Sequence, residues 1–568
     1  MADTTEERPH TDGCHNDLDN DDIFRRLKEN DPGICCLSVK FTSYSVLDPA
    51  YCFTVDWAKE GWQCISNNTQ LKTMYLEVSE LIYTGRNRII EIDESSRANI
   101  IAFVKALSLN SSIFDIQFRC PSGGSILGEV FTSLAPIFQN NLRNLWIYET
   151  DFDNDEENDN CARALKLAVE PYKNKYCSLQ NVQLCWNEIN DEQAGELVDA
   201  FGYCNIRKLS WWEDNGSAFL GNNALQALAK LVGNPSSQLK ELIFGEDCNK
   251  PIDSYVLQSM EVYEGASAFA SALAKNTMLN KIDFGYGRDF FTVNDWQTFS
   301  SILKRPNSML EKLHLDDRHI GDDGAAAIAD ALFSNNTILK ELHLSWCYDI
   351  TTIGWMALSN AFQNPSLIIE KLYLKSEIVD EDVMISFADI LVNNKCLKEL
   401  YLDGNIANDE IITAFSNALG YNDKLQVLNL GSSNDPITDV GSTALSRALC
   451  DTSSINATFD SNHTLESISC YTKGIHHLLR MNRNDFAAHL KIIRYHFDDG
   501  NDIQEIVNME WQLMPRALAW IGQSDHMGLS LLYRLVKSVP YLFECHNNVA
   551  AKMGVGTKRK LNESATDR

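Results

Sequence analysis

The sequence lacks the short motifs that mark common catalytic and metal-binding sites. It has no H-E-x-x-H, no G-x-S-x-G and no C-x-x-C pair, although it contains 16 cysteines. Gly285-Tyr-Gly287 is missing the third glycine of a dinucleotide fingerprint, and Gly554-Val-Gly556-Thr-Lys558 has no strand before it to form a P-loop. We therefore predict a protein that is not an enzyme and binds no cofactor and no metal, with reduced cysteines that serve mainly as core residues.

Long apolar runs and basic residues are also scarce. No window approaches the roughly 18 apolar residues of a membrane span, and the acidic start MADTTEERPHTDG has no apolar leader segment. Lys and Arg number 49 against 78 Asp and Glu, a net charge of −29, which disfavours nucleic acids and anionic membranes and favours a basic partner. Solubility alone is the alternative reason for this charge. We expect a cytoplasmic protein, and the basic cluster Lys558-Arg559-Lys560 leaves nuclear import open.

What the sequence does contain is a repeat. The pattern L-x-x-L-x-L that begins at Leu310 recurs at Leu339, 29 positions later. Between the two, Gly321-Asp-Asp-Gly324 precedes a stretch with apolar residues at helical spacing. One short strand with one amphipathic helix cannot bury its own apolar face, so each unit must stack on another.

The strand pattern recurs about fourteen times along the chain. Its central residues are 28 to 30 positions apart from Leu313 to Leu428 and 27 to 42 positions apart elsewhere, so we expect the additional residues to form loops. The predicted central residues are Leu37, Met74, Ile116, Leu145, Val182, Leu209, Leu242, Ile282, Leu313, Leu342, Leu372, Leu400, Leu428 and Ile468.

Short polar residues punctuate the units. Asn or Asp precedes most strands, as in SNNTILKEL and NNKCLKEL, where the amide can take the left-handed turn that ends a helix or bond the local backbone. Carboxylates near helix starts, as in GDDG and DEDV, are expected to cap free N–H groups.

L-x-x-L-x-L followed by a turn and G-x-x-x-L-x-x-x-L, in units near 28 residues, resembles the ribonuclease-inhibitor-like class of leucine-rich repeats. Two positions depart from that pattern: Arg318 stands where Asn or Cys is expected, and Val383 where Gly is expected. The resemblance implies an α/β fold, a right-handed leucine-rich-repeat solenoid (a horseshoe) with a parallel concave sheet and convex helices. The best-matching unit contains Leu310, Leu313, Leu315, Ile320, Gly324, Ile328 and Leu332.

Four parts are predicted along the chain. Residues 1–20 are a disordered acidic tail, 21–470 the solenoid of about 14 strand-helix units, irregular before residue 280, 471–550 a helical C-terminal cap and 551–568 a disordered tail. A solenoid end exposes a strand edge and an apolar layer, so capping is the expected role of the helices after Cys470. A separate effector module is the alternative.

Aromatic residues on the strands are the strongest functional signal. Alternation sends repeat positions 1, 4 and 6 to the core and positions 3, 5 and 7 to the concave face, with position 8 at its edge. The core does not require Trp or Tyr there, and both residues suit interfaces; cross-strand pairs that only stabilise the sheet are the alternative. The candidate partner-binding residues are Trp146, Tyr148, Trp186, Trp212, Tyr286, His314, His343, Trp346, Tyr373 and Tyr401. Charged residues surround them at Glu311, Lys312, Asp316, Asp317, Glu341, Glu370, Lys371 and Asp403.

Two histidines and one acidic run raise the question of metal binding. His314 and His343 share a repeat position in adjacent units, so their side chains should be neighbours. Two imidazoles can hold a metal, but no third ligand is apparent and Tyr373 follows in the next unit, so stacked surface histidines are favoured. The acidic run over residues 151–159 lacks the Gly and the closing Glu of an EF-hand loop and is interpreted as a surface loop.

The function predicted from these observations is a non-catalytic scaffold or regulator. It would bind a protein partner, not nucleic acid or membrane, on the aromatic concave face, and it would act as a monomer. The resemblance implies two alternatives. A GTPase-activator-like regulator is disfavoured by the slightly basic end of the chain, and an adaptor of a ubiquitin ligase by the absence of a recognisable recruiting motif in DDIFRRL.

Overall fold

The structure is a computed structural model, and the chain divides into two compact units, Met1–Ile406 and Ala407–Arg568. The predicted tails, the acidic run 151–159 and most of the predicted cap lie outside the described residues. The described residues are 25–32, 35–41, 63–78, 81–84, 88–91, 94–119, 126–139, 141–148, 161–170, 177–185, 189–213, 220–246, 264–285, 290–316, 318–334, 338–375, 380–405, 407–431, 437–469, 475–484 and 486–497.

The first unit is built on a parallel sheet. The sheet takes its strands in chain order, because each helical segment returns the chain to lie beside and parallel to the preceding strand. The strands of this unit, of which all except β3 and β4 belong to the parallel sheet, are β1 (Cys36–Phe41), β2 (Thr73–Val78), β3 (Leu81–Thr84), β4 (Arg88–Glu91), β5 (Asp115–Arg119), β6 (Asn144–Tyr148), β7 (Asn181–Cys185), β8 (Lys208–Glu213), β9 (Glu241–Glu246), β10 (Lys281–Phe284), β11 (Lys312–His314), β12 (Glu341–His343), β13 (Lys371–Tyr373) and β14 (Glu399–Tyr401).

Helices alternate with these strands, and each packs against the next along the chain. Their buried faces carry small and branched apolar residues, as in α8, where Ala325, Ile328 and Leu332 are buried. The helices are α1 (Glu94–Ser108), α2 (Ile126–Leu134), α3 (Cys161–Val169), α4 (Asp191–Tyr203), α5 (Asn222–Gly233), α6 (Glu264–Lys275), α7 (Val293–Ser300), α8 (Gly321–Leu332), α9 (Thr352–Phe362) and α10 (Glu381–Asn393).

The second unit continues the strand-helix alternation. Its strands β15 and β16 are parallel and pair Leu428 with Ile468. Its elements are α11 (Asp409–Leu419), β15 (Val427–Asn429), α12 (Asp439–Leu449), α13 (Ile455–Phe459), β16 (Ser467–Ser469), α14 (His476–Asn482), α15 (Ala487–Ile492) and a π-helical turn (Ile493–Phe497).

All fourteen predicted central residues lie on strands that pair in parallel within their unit, and all except Ile468 are buried. In β12, for example, buried Leu342 lies between half-buried Glu341 and His343. The predicted α/β leucine-rich-repeat solenoid is therefore confirmed.

One element was not expected from the sequence. β3 and β4 pair as an antiparallel hairpin, separate from the parallel sheet, with Ile82 opposite Ile90. The hairpin lies in the longest interval between central residues, from Met74 to Ile116. The insertion lies between β2 and α1 and lengthens neither, and a segment long enough to pair with itself can satisfy its backbone as a hairpin.

The two departures from the repeat pattern have physical explanations. At the first, Arg318 is buried and its Nε donates to Phe284 O at 2.5 Å. In later units Cys347 Sγ donates to Leu315 O at 3.2 Å and Asn405 Nδ2 donates to Leu374 O at 3.1 Å. The repeat thus requires a donor to the preceding unit's strand carbonyl, and three side-chain types supply it.

The second departure concerns the glycine near each helix start. Asp322 accepts from the amides of Thr351 and Gly354 at 2.8 and 3.0 Å, so it caps the helix of the following unit. A Cβ at position 354 would lie 2.6 Å from Asp322 Oδ1, which explains the glycine. Val383 needs no such space, because the corresponding residue of the preceding helix is Thr352.

Asparagines before the strands join the units through their amides. Asn394 Oδ1 accepts from Leu397 N at 3.0 Å, and its Nδ2 donates to Phe362 O of the preceding unit. Asn394 has φ −77°, and the positive-φ residues other than glycine among the described residues are Asn30 and Trp346. Of the two roles expected for an asparagine before a strand, Asn394 shows the backbone bonding, whereas Asn30 before β1 takes the left-handed conformation with φ 56°.

Two further expectations concern the cysteines and membrane-spanning helices. Cys36 is disulfide-bonded, so the expectation that every thiol is reduced is wrong for this residue. Cys177, Cys204, Cys347 and Cys450 are free and buried, as the core interpretation predicts. Among the described residues, no helix has the length and apolarity needed to cross a membrane.

Candidate functional site

The candidate residues that the structure describes lie on one face of the parallel sheet or at its edge. We call it the outer sheet face, the face that carries the residues on either side of each buried central residue. Trp186 and Tyr286 lie outside the described residues. The other eight are all half-buried. They are Trp146, Tyr148, Trp212, His314, His343, Trp346, Tyr373 and Tyr401.

Four of these rings form a continuous stack, which we call the ring column: His314, His343, Tyr373 and Tyr401. Ring centroids are 3.7 Å apart between the histidines, 3.8 Å between His343 and Tyr373, and 4.3 Å between the tyrosines. The stack follows from strand register, because these residues are direct partners on β11 to β14. Neighbouring strands lie about 4.8 Å apart, so rings at the same repeat position are near enough to stack after a small tilt toward each other.

Carboxylates hold the histidine end of the ring column. His314 Nδ1 lies 2.8 Å from Asp283 Oδ2, and His314 Nε2 lies 3.2 Å from Glu341 Oε1. Burial lowers the pKa of an imidazole, but the hydrogen bonds with Asp283 and Glu341 outweigh it and raise the pKa of His314 to about 9. His314 is therefore a cation at neutral pH, and both its ring nitrogens act as donors.

His343 contacts the same oxygen of Glu341 as His314 does. His343 Nε2 lies 3.1 Å from Glu341 Oε1, and His343 Nδ1 lies 3.4 Å from Asp316 Oδ2. Glu341 Oε2 pairs with Lys312 at 2.9 Å. Burial raises the pKa of a carboxyl, but His314, His343 and Lys312 together hold the pKa of Glu341 well below its ordinary value.

A row of paired charges runs beside the tyrosine end. Lys371 Nζ pairs with Glu399 at 2.8 Å, and the Tyr401 hydroxyl donates to Glu399 at 3.2 Å. Burial raises the pKa of both the Tyr373 and Tyr401 hydroxyls, so both rings stay neutral at physiological pH. The carboxylates in this row are thus neutralised within the chain.

Trp346 extends the surface at the edge of the ring column. Lys375 Nζ lies 5.9 Å from the Trp346 ring centroid and 6.0 Å from that of Tyr401, and it pairs with Asp403 at 3.1 Å. Trp346 has φ 58°, in the left-handed region that L-residues rarely adopt. Gly404 takes the same repeat position with φ 88°, so the turn requires this conformation and the tryptophan is held in it.

The remaining candidates do not join the ring column. Tyr148 contacts Tyr75, with ring centroids 5.9 Å apart. Trp212 packs over Gly245, where a Cβ would lie 3.1 Å from the Trp212 ring. Between Trp146 and the ring column the same strand position is occupied by Gln183, Ser210, Ile243 and Asp283.

Ser210 and Ile243 share this strand position but are buried, so they offer no exposed surface at these two strands. The aromatic candidates therefore form separate groups, and the ring column is the one group in which four of them are in contact. It is the best-defined candidate site.

Sequence reasoning missed two members of this site. The repeat pattern places Glu341 among the charged residues that surround the candidates and does not single out Asp283. Each lies on the outer sheet face of β12 or β10, and each contacts the His314 ring on the neighbouring strand β11. The signal in the sequence was the acidic residue two positions before His343, together with the acidic residue in the His314 position of the preceding unit.

Comparisons with known proteins agree with the repeat assignment. A family model described as leucine-rich repeat matches residues 307–329. An internalin of Listeria monocytogenes strain 4b F2365 is 12% identical, with a TM-score of 0.33 over 63% of this chain and 88% of that chain. The actin-binding site 2 of leiomodin-1 is 16% identical, with a TM-score of 0.22 over 34% of this chain and 91% of that chain. No curated protein matches. Because both TM-scores are low, the fold assignment depends on strand order and register.

Proposed function

We propose that this protein is a non-catalytic recognition scaffold that binds a protein partner on the outer sheet face. The observation that carries the proposal is the ring column, four stacked rings on adjacent strands, half-buried before any partner binds. The central leucines already fill the core beneath the column, so packing of the solenoid does not require these rings.

The physical argument concerns area and entropy. A stacked Tyr has few rotamers left to lose, so burying it in an interface costs little side-chain entropy. Each large ring buries apolar area that supports an interface hot spot. Trp346 and Lys375 widen the same surface at its edge. Together these features suit a partner that lays an apolar or aromatic segment along the strands.

The charge of the protein should act mainly on the rate at which a partner reaches it. The net charge of −29 favours approach of a basic partner. Close to the ring column, however, Glu341 pairs with Lys312, Glu399 with Lys371 and Asp403 with Lys375. We therefore assign affinity to the rings, and long-range steering to the acidic surface as a whole.

The finer features of the proposal follow the repeat pattern. Units near 28 residues, with Cys347 or Asn405 as the inter-unit donor, support the ribonuclease-inhibitor-like class. We retain a monomer as its state, the cytoplasm as its location with nuclear import left open, and a capping role for residues 471–550. None of these is needed for recognition by the ring column.

The experiment immobilises three full-length proteins and compares which partner proteins each one captures from a cell extract. Tyr373→Thr/Tyr401→Thr removes two rings and leaves β-branched residues that suit strands. Tyr421→Thr is the matched control, because Tyr421 is 73% exposed and follows α11, away from the strands. The amount of each partner protein that the wild type and the control both capture should fall about tenfold or more with the double variant.

Circular dichroism should show that all three proteins are folded. Equal recovery of every client by the three proteins would contradict recognition by the ring column. It would leave the stacked rings as a device that stabilises the sheet.

A further inference from the structure

Three donor atoms converge at the histidine end of the ring column. Nε2 of His314 and Nε2 of His343 lie 3.2 and 3.1 Å from Glu341 Oε1. One donor atom from each of His314, Glu341 and His343 lies within 4.8 Å of the other two. The three side chains are 13–14% exposed, so an ion can reach the site from solvent. We propose that His314, His343 and Glu341 bind a divalent transition-metal ion, and that Zn²⁺ suits this donor set.

The spacing fits the ion. Zn²⁺ bonds to imidazole nitrogen and carboxylate oxygen at about 2.0–2.1 Å, so neighbouring ligands of a tetrahedral site lie about 3.3 Å apart. The two N···O distances in the cluster, 3.2 and 3.1 Å, are close to this ligand–ligand distance. Two imidazoles with one carboxylate leave a fourth position for water. Ca²⁺ and Mg²⁺ prefer oxygen ligands alone, so the two imidazoles disfavour them.

The groups behind the donors support the assignment. A metal-binding histidine typically places its second ring nitrogen on a carboxylate or carbonyl, which orients the ring. His314 Nδ1 lies 2.8 Å from Asp283, and His343 Nδ1 lies 3.4 Å from Asp316. Both rings therefore direct Nε2 toward Glu341, which is the orientation that a shared ion needs.

Binding requires one adjustment of the rings and displacement of protons. The imidazole planes are 21° from parallel, and their lone pairs must converge on one ion, so the two rings have to tilt further apart at the side opposite to Nε2. The ion takes the place of the N–H donors that now face Glu341 Oε1. Once His314 has lost its proton, the three carboxylates around the site outnumber Lys281 and Lys312, so the local charge favours a cation. The carboxylates are Asp283, Asp316 and Glu341.

The test uses full-length protein, freed of metal with a chelator and titrated with Zn²⁺ alone by calorimetry. The variants are His314→Tyr and His343→Tyr, because Tyr373 and Tyr401 show that tyrosine stacks at this repeat position. His319→Tyr is the matched control, since His319 is exposed and pairs with Asp349 at 2.6 Å outside the cluster. Each protein is checked for folding by circular dichroism.

One Zn²⁺ per chain should bind to the wild type and to His319→Tyr, and affinity should fall at least about tenfold in both cluster variants. Asp283→Asn, which changes a positioning group, should weaken binding about tenfold with the stoichiometry unchanged. Absorption of bound Co²⁺ should show a tetrahedral spectrum in the wild type that His343→Tyr loses. Absence of binding to the wild type, or equal binding by the cluster variants, would overturn the proposal. These variants keep the stacked rings, so client capture can be measured on them independently.

Discussion

The turn after β12 provides a sharp test of how one repeat position is built. Trp346 has φ 58°, and its amide donates to Lys375 O at 2.6 Å. The left-handed conformation costs an L-residue roughly 1–2 kcal/mol, whereas glycine adopts it without a Cβ clash. Trp346→Gly should therefore relieve strain that Trp346→Ala retains.

The balance can be estimated from the contacts. Both substitutions lose the Trp346 ring and its approach to Lys375 at 5.9 Å, which contributes about 0.5–1 kcal/mol at an exposed site. Glycine also adds freedom to the unfolded chain, which costs about 0.5–1 kcal/mol. The relief of strain exceeds this cost, so the glycine variant should be about 0.5–1 kcal/mol more stable than the alanine variant, the reverse of the usual order.

Urea unfolding followed by circular dichroism measures the difference, with midpoints compared for the same transition in each protein. Gly404→Ala is the reciprocal control, because it places a Cβ at φ 88° in the same repeat position and should destabilise by about 1 kcal/mol. An alanine variant as stable as the glycine variant would refute the reasoning. The ring of Trp346 would then not be held against a backbone preference.

Three further predictions concern stability. Leu313→Asp should unfold several units cooperatively, because it buries an unpaired charge at a fully buried position; an unchanged thermal transition would contradict the strand assignment. Gly354→Ala should lose about 1–3 kcal/mol in urea unfolding, because its Cβ would lie 2.6 Å from Asp322 Oδ1, and the loss should be smaller when Asp322→Ala is the parent protein. Burial lowers the pKa of Lys491 to about 8 from 10.5, so the unfolded chain binds more protons between these values and stability should rise with pH across that window. Thermal unfolding at pH 7.5 and 10 should show this rise in the wild type and not in Lys491→Met. An equal change of stability with pH in both proteins would exclude Lys491 as its cause.

Much of the candidate site could be predicted from spacing alone. His314, His343, Tyr373 and Tyr401 share one repeat position, and parallel strands in register must bring equal positions together. What spacing did not show is that Glu341 is shared by both histidines. That contact depends on side-chain rotamers across two strands, which no periodicity specifies.

Departures from the repeat pattern were visible in the sequence but not interpretable there. Arg318 is a suitable replacement for Asn or Cys because the Phe284 carbonyl of the preceding unit lies within reach. Val383 replaces glycine because Thr352, rather than Asp, lies on the preceding helix at that point. Each explanation requires the neighbour's identity and its distance, and only stacking of the units sets both.

The sequence by itself determined the fold class and the positions of the strands. A period of 2 within each strand and a repeat near 28 residues leave one way to bury the leucines, which is to stack the units. Only the tertiary structure decided which surface residues act together. It joined His314, His343 and Glu341 into one cluster and left Trp212 over Gly245, away from the ring column. The reason is that a residue's position in its own repeat predicts whether its apolar side chain is buried. A site, in contrast, depends on distances between side chains of different units.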